Sequence, residues 1–128
     1  MSHADETLAD IERALLALVL DRPEYLPAVA AQIKPEHLAT TARTHILRAA
    51  QSLAAAGQPF DRTFVLRHLA EHDLAAICQE ELAACESAIR PESVAAYAAA
   101  VRAAWKTREA DKTAARLQLG DISAETAI

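Results

Sequence analysis

Glu92-Ser93-Val94-Ala95-Ala96-Tyr97-Ala98-Ala99-Ala100-Val101-Arg102-Ala103-Ala104-Trp105-Lys106-Thr107-Arg108, running on through Lys112 and Arg116 to Leu119, contains no proline, no glycine and no β-branched run. Val94, Tyr97, Val101 and Trp105 recur at intervals of three, four and four, which places them on one face of a helix. Arg108, Lys112 and Arg116 continue at intervals of four beside Glu109 and Asp111, so the second half becomes charged. The stretch predicts one long helix from Glu92 to about Leu119, ended by Gly120. Asp121 to Ile128 then reads as a turn and the start of a second helix with Ser123 as its cap. That pattern predicts the first arm of a helical hairpin whose return arm is missing. A helix with an apolar stripe on one side requires something to cover it.

The chain before this arm is helical too. A first helix is predicted from Glu6 to Asp21, capped by Asp5, with Leu8, Ile11, Leu15, Leu18 and Val19 inward. Pro23 ends it. A short helix follows over Glu24 to Ile33, and Pro35 starts a single turn through Leu38. Thr40 or Thr41 caps a helix to Ala56 whose inner residues are Ile46, Leu47, Ala50, Leu53 and Ala54, with Gly57 its C-terminal stop. Asp61 caps the next, Arg62 to about Glu71, with Phe64, Val65 and Leu69 inward. A further helical stretch runs from Leu74 to about Ile89, and Arg90-Pro91 separates it from the long arm. The expected organisation is a helical head over residues 1–90 and an arm over 91–128. The fold class is all-α.

Composition supports this. Of the 128 residues 52% are apolar, much of that alanine, and 4% are aromatic, which suits a core built by close helix approach. The two glycines, Gly57 and Gly120, leave little for β-turns. The formal charge is −5, the acid excess lying in residues 1–90, and no basic face stands out, which disfavours unaided tight binding of nucleic acid. Cys78 and Cys85 lie seven apart in one predicted helix, no disulfide framework, which fits a reducing compartment. No apolar run approaches the length of a membrane span and the amino-terminal residues are polar, so a cytoplasmic location without membrane contact is expected.

Candidate chemistry is sparse. His68-Leu69-Ala70-Glu71-His72 matches the H-x-x-E-H pattern of some zinc enzymes, but the match is short and sits at a helix end, where histidine suits the dipole. It reads as a surface or capping group, not a metal site, and Cys-x6-Cys is not a zinc spacing. No glycine-rich elbow surrounds a nucleophile. No glycine-rich run precedes Lys106-Thr107 or Lys112-Thr113, so a phosphate-binding loop is lacking. No catalytic, cofactor or metal residue is assigned, and no cofactor is expected. Trp105 has two open readings, core aromatic or interface anchor. The candidate interface residues are Val94, Tyr97, Val101, Trp105 and Arg108.

The order of these elements resembles the N-terminal domain of DnaB-type replicative DNA helicases. Asp10-Ile11-Glu12-Arg13-Ala14-Leu15-Leu16-Ala17-Leu18-Val19-Leu20-Asp21 is similar to that family's opening helix, E-A-E-x-x-V-L-G-x-x-L-L-D. Lys34-Pro35-Glu36-His37-Leu38 stands where the family has a P-E-D-F turn. Leu53 to Asp61 resembles L-x-x-x-G-x-P-V-D. Ser93 to Arg102 resembles N-x-x-x-Y-A-x-x-V-R, with Arg108 at a following arginine. The resemblance covers roughly residues 8–118. It departs at His37-Leu38-Ala39 (Asp-Phe-Tyr in the family), Ala17 (glycine), Arg43 (histidine) and Glu81 (an aromatic). It implies a six-helix head and a hairpin, a collar above the ring of motor domains, self-association as a dimer, and docking of primase or a helicase loader. It implies no enzyme activity for this chain alone. Two alternatives share these features: a stand-alone adaptor that mimics the collar, and the helicase-binding domain of a primase.

Overall fold

The structure is a computed structural model that describes the backbone of residues 3–127 and the side chains of residues 7–117. Six α-helices and two short 3-10 turns follow one another, with no strand among the described residues.

The first helix, α1 (His3–Asp21), is the centre of the head. Every residue from Ala14 to Val19 is buried, so the helix is covered all round by the third, fifth and sixth helices rather than on one stripe. Asp5 does not cap it, because the helical backbone already begins at His3. The expected helix over Glu24–Ile33 divides into a 3-10 turn at Pro23–Tyr25 and α2 (Leu26–Ala30). Pro27 sits in the first turn of α2, where a missing N–H costs nothing, and it limits how far the element extends backwards. A second 3-10 turn, Pro35–His37, leads to α3 (Thr41–Ala55), where Thr40 is the cap: its hydroxyl accepts from the Arg43 N–H at 3.3 Å.

α3 closes as the glycine signal predicts. Gly57 has φ +71°, and Gly57 and Gln58 donate to the carbonyls of Ala54 and Leu53 at 3.0 and 2.8 Å. Asp61 caps α4 (Arg62–Glu71), its carboxylate accepting from the Phe64 N–H at 3.1 Å. α4 ends with the same hydrogen-bond pattern, but Asp73 occupies the left-handed position at φ 58°. α5 (Ala75–Glu86) is shorter than the predicted Leu74–Ile89, and Ile89 is exposed. α6 (Val94–Ala127) starts after Ser93, whose Oγ accepts from the Ala96 N–H at 3.1 Å.

The expected turn after Gly120 is not formed, since α6 continues through Gly120 to Ala127. One glycine inside an alanine-rich helix costs only about 1 kcal/mol, too little to break it without a competing cap. Whether Ser123 caps anything lies outside the described side chains. α4 and α5 pack on α3, and α3 and α5 pack on α1, with Ile46, Leu47, Val65, Leu69, Cys78, Leu82 and Cys85 between them. α6 packs on α1 and also meets α2 and the Pro35–His37 turn.

Candidate functional site

The stripe on α6 meets the head. Val101 is fully buried, as is Ala98, while Val94 and Tyr97 are half-buried against the same core. Trp105 is half-buried with its ring tilted against His37, centroids 4.5 Å apart. Arg108 donates from Nη2 to the His37 carbonyl at 2.7 Å, and Arg102 donates from Nη1 to the Gln32 carbonyl at 2.9 Å. The five expected interface residues thus lie together, but their near sides face this chain's own α1 and the turn at His37. The arm changes character at Glu109. Side chains 110–117 are exposed on every side, Leu117 among them, and the nearest polar pairing is Lys112 with Glu109 at 3.3 Å.

Beneath the arm lies a polar network that periodicity does not reveal. Glu12 is completely buried and accepts from Arg43 Nη1 at 2.7 Å and from the Ala39 N–H at 2.9 Å. Arg43, also buried, turns its Nε to Glu81 at 3.3 Å, and Arg13 reaches the same carboxylate with Nη2 at 3.2 Å. Burial pushes the Glu12 carboxyl above the usual carboxylate range, against the Ala39 N–H and the charges of Arg43 and Arg108. The signal for Glu12 was present in the sequence. It falls on the same face as Leu8, Leu15 and Val19, where a charge must be paired. Its partner across Ala39 depends on a chain reversal that no local pattern encodes.

The remaining chemical groups offer little. His72 and His68 stack with centroids 4.5 Å apart at the end of α4, and His72 Nδ1 is bonded to the His68 carbonyl at 2.9 Å. No group of three or more metal-ligating side chains occurs among the described residues. Cys78 and Cys85 are free thiols in the core, and burial raises Cys85 to about 12. A surface recess of about 190 Å³ between the ends of α1 and α5 is lined by charges already paired, Arg62 with Glu86 at 2.6 Å and Arg90 with Asp21 at 3.1 Å. No helix among the described residues is long and apolar enough to cross a membrane. What the geometry presents is a head with an arm, and surfaces for contact.

The profile of the DnaB-like helicase N terminal domain matches residues 5–103, from α1 through the docked half of α6. The chain belongs to this family. The matched region is the one that the family model describes, the N-terminal domain of the helicase. Among solved structures it is similar to the N-terminal domain of DnaB helicase from Helicobacter pylori, at 20% identity and a TM-score of 0.84, covering 94% of this chain and 98% of that one. That structure was described together with its interactions with primase. The N-terminal domain of DnaB helicase from Mycobacterium tuberculosis gives 21% identity and a TM-score of 0.81, covering 91% of this chain and 86% of that one. At these identities the likeness is one of fold. No curated protein matches the chain.

Two of the motifs singled out in the sequence mark structural joints. The Leu53–Asp61 motif is the α3 stop, the buried Phe60 and the α4 cap. The Ser93–Arg102 motif is the α6 cap followed by the residues that seat the arm.

Proposed function

We propose that this replicative-helicase N-terminal domain self-associates through the distal half of α6 and offers the resulting collar to primase or a loader. The observation that carries this is the change at Glu109. The apolar stripe from Val94 to Trp105 is largely covered by the head, whereas residues 110–117 are exposed, Leu117 to 61%. A lone helical segment of this length is marginal in water and gains its stability from packing. An alanine-rich surface suits close approach of a second helix. The interface therefore lies further out than the apolar stripe suggested, with Trp105 and Arg108 at its inner edge and Val101 wholly internal.

Among partners, primase is favoured over a loader because the Helicobacter pylori relative is described with primase. Nucleic acid is disfavoured by the acid excess and by the engagement of Arg13, Arg43, Arg62, Arg90, Arg102 and Arg108 within the chain. Sedimentation of the chain across a concentration series tests the association. A monomer–dimer equilibrium is expected, weakened by Leu117→Glu with the melting temperature nearly unchanged. A chain that stays monomeric at every concentration contradicts the proposal.

A further inference from the structure

α6 leaves the head at one small turn. Trp105 stacks on His37, Arg108 donates to the His37 carbonyl at 2.7 Å, and Arg102 holds the Gln32 carbonyl just before the turn. Past Glu109 the helix backbone runs on for about 27 Å by the usual rise per residue, and side chains 110–117 on it are exposed. A tilt of about ten degrees at this junction moves the far end by about 5 Å over that length. His37 contributes both ring and carbonyl, and its Nδ1 accepts from the Lys34 N–H at 3.0 Å. That bond requires a bare Nδ1, so the neutral ring carries its proton on Nε2 and a second proton must go to Nδ1.

The charges facing the ring come from its own turn and from α6. Lys34, Arg102 and Arg108 are cationic, and Glu36 is the one carboxylate among them. α3 meets the turn through Thr44, whose hydroxyl donates to the Pro35 carbonyl at 3.1 Å, and its Arg43 is held by Glu12. α1 reaches the next residues through Glu12, which accepts from the Ala39 N–H.

We propose that His37 is an acid-sensitive latch that fixes the angle of the α6 arm on the head. Neutral, it accepts the Lys34 N–H and packs against Trp105. Protonated on Nδ1, it turns a donor towards a donor and sets a third positive ring of charge beside Arg102 and Arg108. A cation on the Trp105 ring gains some attraction, but it must be met with the Lys34 bond lost and three cations close by. Burial is the main cause that holds the His37 pKa below its ordinary value, reinforced by Lys34, Arg102 and Arg108 and opposed by Glu36.

The test places spin labels at Gln79→Cys on α5 and Thr113→Cys on α6, both exposed positions, in the full 128-residue chain, whose own cysteines are buried. At pH 8 one narrow label-to-label distance is expected, and at pH 5.5 a broad distribution, with helix content by circular dichroism retained. His37→Asn supplies an oxygen near the Nδ1 position that accepts the Lys34 N–H but does not titrate, so its distance stays narrow at both pH values. Fluorescence of Trp105, the one tryptophan in the chain, should follow the same transition in the wild type alone. An unchanged narrow distance in the wild type overturns the latch. So does equal broadening in His37→Asn, or acid unfolding of both proteins together.

Discussion

Arg43 and Glu81 stand 3.3 Å apart, joining α3 to α5, and Glu12 on α1 is the other partner of Arg43. The arginine is always charged, and one buried carboxylate does not surround it. Glu81 supplies a second, and Arg13 shares it. Charged residues far apart along the sequence are one electrostatic unit in the fold.

Coupling between them is therefore expected in a double-mutant cycle. Glu12→Ala should cost about 3–5 kcal/mol, since it leaves Arg43 buried without its closest partner. Arg43→His and Glu81→Phe should each destabilise, and the double mutant should be less destabilised than their sum by about 1–3 kcal/mol. Urea denaturation of the four proteins measures this, and additive effects would show that the pair is not coupled.

The all-α class, the order of the helices, the Thr40 and Asp61 caps and the Gly57 stop were legible because each rests on local chemistry. Periodicity also found Val94, Tyr97, Val101 and Trp105 on one face. It could not tell that the face belongs to the head, because a stripe looks the same whether its cover is internal or a second chain. The buried Glu12 and Arg43 and the half-buried Glu81 were missed for a related reason. Each lies on a different helix, and a charged residue in an alanine-rich helix ordinarily reads as solvated. Gly120 was over-read as a stop, since glycine ends a helix when a left-handed cap follows and here none does.

Asp73 holds φ 58° at the end of α4, a conformation that costs an L-residue about 1–2 kcal/mol unless its side chain helps locally. Its negative charge also sits at the unfavourable end of the helix dipole. Asp73→Gly should raise stability by about 0.5–1 kcal/mol after the entropy cost of glycine is included. A lower melting temperature for the variant would show that the Asp73 side chain contributes a compensating bond.

The two thiols should be inert in the folded chain. Cys78 and Cys85 are almost wholly buried, and burial pushes both thiols up, Cys85 to about 12, so little thiolate forms at neutral pH. Reaction with an aromatic disulfide reagent should be slow at pH 8 and proceed at both cysteines only as the chain unfolds in denaturant. Rapid modification without denaturant would mean that α5 opens locally.

Stability should fall on mild acidification. The pKa of His37 is lowered from the ordinary 6.5, so its contribution is complete above about pH 6.5 and is lost as pH drops through the folded value. Glu12 acts with the opposite sign: raised from 4.5, it favours the fold below that value and loses this contribution as pH rises through its folded pKa. Between pH 8 and 5.5 the histidine effect should show as a declining melting temperature in the wild type and a flatter profile in His37→Asn. Identical profiles would remove His37 as the cause.

Docking of primase on the proposed collar is checked by calorimetric titration of the chain with the C-terminal domain of the primase from the same source. Binding is expected at micromolar or tighter affinity, weakened when Leu117→Glu disrupts the arm pairing, and unaffected by ATP and Mg²⁺. Absence of heat and of any mobility change at high concentrations of both proteins would contradict the account.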